Sequence, residues 1–229
     1  MSTNITPTER ILRRAAQEIT PGSIVNLGIG LPSQVLRYLP NDFDVYIHAE
    51  NGVLGAWKQA EIGEMNPFLI DASGSYVSLR AGSSLFDSAV SFAMIRRGRL
   101  DLTMMGAFEV DAAGNLANWK IPGKFSPGIG GAMELAQKTP RVVVLTTHTD
   151  KRGQPKILKT CRLPLTAKAC VNRIISDIAV MDITPHGVVV REKLLDMSDE
   201  DVQAITEAPL RFDVALDVAP LPAEEDDRE

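Results

Sequence analysis

The segment RVVVLTTH, residues 141–148, narrows the choice of fold more than any other stretch of this chain. Three consecutive valines followed by leucine make a strand that is apolar on both faces. Such a strand belongs in the middle of a parallel sheet with layers packed above and below it, not on the half-wet face of a sandwich. The neighbouring sequence agrees, because strand-like and helix-like segments alternate from the start of the chain.

In TPTERILRRAAQEI, Thr6 can cap a helix, Pro7 suits its first position and Glu9 completes a capping box. Ile11, Leu12, Ala15, Ala16 and Ile19 recur at helical spacing, which predicts one packed face and leaves Arg10, Arg13 and Arg14 to solvent. SIVNLGIG reads as a short buried strand entering a glycine loop, LPSQVLRYL as a helix from Pro32, and residues 44–48 as the next strand. FLID gives another short strand. LFDSAVSFAMIRRG gives a helix stopped by Gly98, and LDLTMMGAF a further strand. This rhythm predicts an α/β fold, a single three-layer domain with a mostly parallel central sheet flanked by helices.

In the second half, VDAAGNLAN reads as a tight turn between short strands, and KIPGKFSPGIGGAMELA as a glycine- and proline-rich loop entering a helix. KILK can pair back on the preceding strand. AVMDIT and VVVREKL form a hairpin about PHG, and Ser198 caps a helix in SDEDVQAITEA whose acidic first turn complements the helix dipole. The domain is assigned to residues 1–218, and residues 219–229, ending in AEEDDRE, to an acidic disordered tail.

Composition excludes some functions. No apolar run reaches the roughly 18 residues that a membrane helix needs, and the N-terminus lacks a signal layout, so the expected location is the cytoplasm. A net charge of -5 argues against nucleic acid as a partner, with Arg96, Arg97 and Arg99 read as a solvated helix end. The two cysteines, Cys161 and Cys170, suit neither a disulfide framework nor a metal cluster and read as buried thiols. His48, His148 and His186 have no metal-ligand spacing; a structural role is assigned to His48.

In open parallel sheets ligands gather at the carboxyl ends of strands. Glu50, in IHAENGVLG, stands there, followed by the Asn51-Gly52 turn that displays it. Two readings are open from position: a solvated acid capping a helix that begins near Leu54, or a nucleophile. A carboxylate becomes reactive only in a dry site with an electrophile held against it. Gly128, Gly130 and Gly131 before the helix at AMELA, and Gly28 and Gly30 in LGIG, can present backbone N–H groups to an anion or an oxyanion, although such glycines more often serve plain turn chemistry. Neither cluster has the spacing of a dinucleotide fingerprint.

Four segments, NLGIGLPSQV, AENGVLG, GNLANWKIPGK and GIGGAMELA, together resemble the B (beta) subunit of the two-subunit 3-oxoacid coenzyme A-transferases, over residues 6–206. The resemblance implies the CoA-transferase fold, of the kind shared with NagB-RpiA-like domains. It also implies a class I ping-pong mechanism with Glu50 as nucleophile, passing through an acyl-glutamyl anhydride and a covalent glutamyl-CoA thioester. Succinyl-CoA is the implied donor and acetoacetate or 3-oxoadipate the acceptor. No cofactor is implied, since coenzyme A is a substrate, and no metal. The implied partner is the A (alpha) subunit of the CoA-transferase, a separate chain, in a heterotetramer of two alpha and two beta chains, with SFAMI as a candidate interface.

On this reading Asn51 orients or donates to the Glu50 carboxylate, and Gly28, Gly30, Gly52, Gly128, Gly130 and Gly131 are candidates for substrate binding and oxyanion donation. Ala49 stands where many relatives have serine, which removes a hydroxyl next to the nucleophile. The alternatives are an acyl-CoA hydrolase of the same fold and a ligand-sensing domain in which Glu50 only binds.

Overall fold

The computed structural model describes residues 5–124, 126 and 128–212. The acidic tail and the last residues of the assigned domain lie outside them. The chain begins with α1 (Pro7–Ala16), where the Thr6 hydroxyl accepts from the Glu9 amide at 3.2 Å. After β1 (Ser23–Leu27), residues Pro32–Tyr38 form a 3-10 helix instead of the expected α-helix. No side chain caps this segment at Leu31, and Pro40 stops the chain from extending it, conditions under which a short tight helix prevails.

There follow β2 (Val45–Ala49), β3 (Val53–Gln59), β4 (Val77–Leu85), α2 (Ser88–Arg96), β5 (Leu102–Gly106), β6 (Glu109–Asp111), β7 (Leu116–Ala117) and α3 (Ala132–Lys138). The chain continues with β8 (Val142–Leu145), β9 (Ile157–Leu158), β10 (Arg173–Ile175), β11 (Ala179–Thr184), β12 (Gly187–Lys193), α4 (Asp199–Ala204) and β13 (Leu210–Phe212).

Ten of these strands form one sheet in the order β13-β12-β11-β10-β8-β5-β1-β2-β3-β4. The middle, β10-β8-β5-β1-β2, is wholly parallel, with the valine strand β8 inside it as its sequence requires. Antiparallel hairpins extend it on both sides, β11-β12 at one end and β3-β4 at the other. β6, β7 and β9 make a separate small sheet.

Alternate residues of the central strands enter two cores. Val25, Ile47, Ala49, Met104, Val143 and Ile175 pack with α1 and the 3-10 helix. Met105, Val142, Val144 and Ile174 pack with Ile95, next to Leu100, and with Leu135 of α3 on the other face. This period-2 division gives the three layers their order.

Several expectations need correction. The helix foreseen near Leu54 is the strand β3, which pairs back on β2. FLID contributes only a bridge between Ile70 and Tyr76. KILK supplies β9, which pairs with β6 in the small sheet and not with the preceding strand. SFAMI is divided, with Ser91 and Ile95 buried in the core, Phe92 and Met94 half-buried and Ala93 exposed.

Arg13 and Arg14 are not wet: both are over nine-tenths buried. Arg14 bonds Glu18 at 2.7 Å and Glu192 at 2.6 Å, and Glu18 also takes Arg141 and, at 2.8 Å, Arg173. Partners up to 178 residues away in sequence neutralise charge that helical periodicity alone assigns to solvent.

Candidate active site

The site is built at the carboxyl end of β2, beside the parallel centre of the sheet. β2 ends at Ala49, and the turn over residues 50–52 is closed by the Gly52 amide, which donates to the Ala49 carbonyl at 3.0 Å. Gly52 has a φ of 119°, and a Cβ there would overlap the carbonyl oxygen of Phe86 and stand 3.0 Å from its carbon. Only glycine fits this place. The close approach lets Gly52 accept from the Phe86 amide at 3.0 Å, which pins the turn to the chain entering α2.

Glu50 is half-buried, and strand alternation puts it on the same face as His48, two residues earlier, toward α2 and α3. Beneath it lies a polar row that crosses β5, β1 and β2. Thr103, Asn26 and His48 stand in register on adjacent strands and are at most 1% exposed. The Thr103 hydroxyl donates to Asn26 Oδ1 at 3.2 Å. Asn26 Nδ2 donates to the His48 carbonyl at 3.1 Å and reaches Glu50 Oε2 at 3.5 Å. His48 Nε2 meets Ser91 Oγ at 2.8 Å, tying the row to α2. Burial lowers the His48 pKa to about 4, so the ring is neutral near pH 7 and serves as a fixed dipole in the scaffold.

The glycine loop approaches from the other side. Gly131 is the N-cap of α3, and a Cβ on it would lie 3.1 Å from the Phe92 ring and 3.4 Å from Glu50 Cγ. A side chain here would press on the Phe92 ring and touch the Glu50 methylene. Gly128 and Gly130 have open space about them, with φ of 110° and 55°. The Gly128 amide donates to Ser126 Oγ at 3.4 Å.

Two expected roles do not survive the geometry. Asn51 Nδ2 donates to the Ile70 carbonyl at 2.8 Å, so it ties the loop after β3 to the turn and does not hold the carboxylate. Gly28 spends its amide on the Met104 carbonyl at 2.8 Å, and its α-carbon is packed against that backbone, so it splices β1 to β5 and is no oxyanion donor. Gly30 lies in open space, its carbonyl accepting from Ser33 and Gln34.

Sequence reasoning missed Asn26, Thr103 and Ser91. The signal for Asn26 was present: a lone amide inside the apolar strand SIVNL, at its carboxyl end.

Chemistry elsewhere is muted. Cys161 and Cys170 are half-buried rather than buried, and desolvation pushes their thiols up to about 12 and about 11, which keeps them protonated and poorly nucleophilic. His148 is fully buried between Ser176 and Thr206 at 2.9 and 2.7 Å. Among the described residues no group of three His, Cys, Asp or Glu side chains is placed to hold a metal ion, and no helix is long and apolar enough to cross a membrane.

Large apolar side chains are exposed in the loops that follow β1 and β3. Ile29 is 69% exposed at the neighbouring glycine loop, and Ile62 and Phe68, in the loop that Asn51 tethers, are 95% and 94% exposed.

Residues 8–195 match the family described as Coenzyme A transferase. The beta subunit of a probable coenzyme A transferase of Bacillus subtilis (strain 168) is 46% identical over 214 residues, 93% of this chain and 99% of that one. The B subunit of the 3-oxoadipate CoA-transferase of Acinetobacter baylyi is 43% identical over 203 residues, 88% of this chain and 94% of that one. The crystal structure of an acyl-CoA transferase (YdiF) from Escherichia coli O157:H7 superposes with a TM-score of 0.76 at 19% identity, covering 96% of this chain and 44% of that one, a likeness of fold. Sequence, fold and a carboxylate displayed at a strand end converge: the chain belongs to the coenzyme A transferase family and is a CoA-transferase.

Proposed function

We propose that this chain is the glutamate-bearing subunit of a 3-oxoacid CoA-transferase, moving coenzyme A from an acyl-CoA such as succinyl-CoA to acetoacetate or 3-oxoadipate. The observation that carries the reading is the position of Glu50 at the end of a parallel strand, between the Asn26 amide and Gly131 at the start of α3.

A Glu50 oxygen attacks the thioester carbonyl and the C–S bond breaks, giving an acyl-glutamyl anhydride and CoA thiolate. The thiolate then attacks the glutamyl carbon and expels the first acid as its carboxylate, leaving glutamyl-CoA. The acceptor carboxylate repeats these steps in reverse, so Glu50 is regenerated with no net gain or loss of a proton. Coenzyme A enters as a substrate, and the scheme uses no cofactor.

An anhydride survives only where water is excluded, and Glu50 is only half-buried, so the site needs a cover, for which exposed Ile29, Ile62 and Phe68 are apolar surface. A separate alpha chain supplies it on this reading. The names of the two relatives, each one subunit of a transferase, support this, as does the length of the acyl-CoA transferase structure, more than half of which lies beyond the part matched here.

The test is to co-express the chain with an alpha chain, supply acyl-CoA alone, and search by mass spectrometry for CoA on the peptide containing Glu50. The adduct is expected there and is expected to vanish in Glu50→Ala together with transfer. An adduct on another residue, or transfer by Glu50→Ala, rejects the mechanism. Rapid loss of acyl-CoA without an acceptor acid would identify a hydrolase.

A further inference from the structure

We propose that Asn26 is the positioning residue for Glu50: its side-chain NH2 holds the carboxylate, then receives the negative charge on that oxygen when the glutamyl carbon becomes tetrahedral. The inference rests on Glu50 being the nucleophile.

Asn26 is an amide at 1% exposure between Val25 and Leu27, so each of its polar atoms requires a partner. Its orientation is fixed by chemistry. The His48 carbonyl and the Glu50 carboxylate accept only, so the NH2 faces them, and the Oδ1 turns to the Thr103 hydroxyl at 3.2 Å. One hydrogen is committed to His48 at 3.1 Å. The second points toward Glu50 Oε2 at 3.5 Å, a distance at the outer limit for a hydrogen bond. The amide is anchored on both sides in the parallel centre of the sheet, whereas Glu50 lies past the end of its strand, so rotation of the glutamate shortens the contact. Catalytic hydrogen bonds often tighten in this way once substrate is bound.

The transfer builds negative oxygen on two different carbons in turn. When the substrate acyl carbon is attacked, the charge sits on the substrate, out in the open space near Gly128 and Gly130. When CoA thiolate or the acceptor acid adds to the glutamyl carbon, the charge sits on a Glu50 oxygen. The donor for that oxygen has to travel with the nucleophile's own support, and Asn26 is in that place. A preorganised donor in a desolvated site acts without reorganising at the moment of reaction.

The experiment uses the complete two-subunit complex and compares wild type with Asn26→Ala, Asn26→Asp and Thr103→Val. In Asn26→Ala, kcat is expected to fall about tenfold to hundredfold, the loss of one hydrogen bond to charge, with KM for acyl-CoA within about twofold. The CoA adduct still maps to Glu50 but accumulates more slowly. In Asn26→Asp two carboxyl groups face each other and resist ionising together, so the acid limb of the kcat/KM profile is expected to move to higher pH. A purely structural role would leave that limb in place.

Thr103→Val keeps the amide but frees it to turn, and a several-fold loss of kcat is expected. It also carries the test if Asn26→Ala fails to fold. Folded variants with wild-type kcat and an unmoved acid limb overturn the inference while the Glu50 adduct stands. A wild-type complex that forms no adduct overturns the nucleophile and this role together.

Discussion

Gly52 and Phe86 are locked backbone to backbone, the Phe86 amide donating to the Gly52 carbonyl at 3.0 Å while the Phe86 carbonyl occupies the space of a Gly52 side chain. Gly52→Ala therefore combines a forbidden φ with a clash against backbone that cannot rotate away. It is expected to cost about 3 kcal/mol in urea denaturation. Gly30→Ala also has a positive φ, 91°, but meets open space, and about 1 kcal/mol is expected. Equal losses in the two variants would remove the steric explanation.

Glu18 is the shared anion of a buried cluster, with Arg14, Arg141 and Arg173 on its two oxygens. Arg14 and Arg173 keep second partners in Glu192 and Asp182, so Glu18→Gln leaves them partly compensated. About 3 kcal/mol of destabilisation is expected, the low end for breaking a buried pair, read as a drop in Tm of about 6–12 °C. A change under about 2 °C would mean that the cluster is held by its arginine stems alone.

His48 and His148 give the fold a defined sensitivity to acid. Burial lowers both to about 4 from the ordinary 6.5. In the unfolded chain they take protons near 6.5, in the folded chain only near 4, so the unfolded state binds more protons between those values. Stability from this source is complete above about pH 6.5 and is lost as pH falls toward 4. For each histidine the loss approaches roughly 3 kcal/mol. Asp182 titrates below its ordinary value because of Arg173 and Arg191, so its loss lies at lower pH and does not obscure the window. His148→Gln should flatten the decline between pH 6.5 and 4.5 in denaturation curves; an unchanged slope would show that His148 is protonated in the fold.

Ala49 lies with Val45 and Ile47 in the core beneath α1, on the face of β2 opposite Glu50. A serine there directs its hydroxyl into apolar packing and away from the carboxylate. Ala49→Ser is expected to cost about 1–2 kcal/mol of stability and to leave kcat unchanged. A rise in kcat would place the hydroxyl in contact with the site.

Much of the architecture was legible because it rests on local rules. The valines of β8, the hairpin of β11 and β12, and Ser198 accepting from the Asp201 amide at 3.0 Å each follow from short-range pattern. The place of Glu50 at a strand end before Asn-Gly was legible for the same reason, but position alone left a solvated acid and a nucleophile both open, and only the family resemblance separated them. The misreadings have non-local causes. β4 is rich in serine and glycine and lies at the edge of the sheet, where burial imposes no apolar code. The buried arginines depend on partners far along the chain. Asn51 is the neighbour of Glu50 in sequence, yet consecutive residues diverge, and the amide that reaches toward Glu50 belongs to Asn26 on the adjacent strand.

The hydrogen bond from Asn26 to the His48 carbonyl also acts as a register lock between β1 and β2. A slip of either strand by one residue would turn Asn26 into the opposite apolar core and carry Glu50 to the wrong side of the sheet. Misassembly and misplacement of Glu50 are thus a single event. A chain that has paired these two strands correctly has, by that act, also aimed its glutamate, so activity reports on the fidelity of folding at the centre of the sheet.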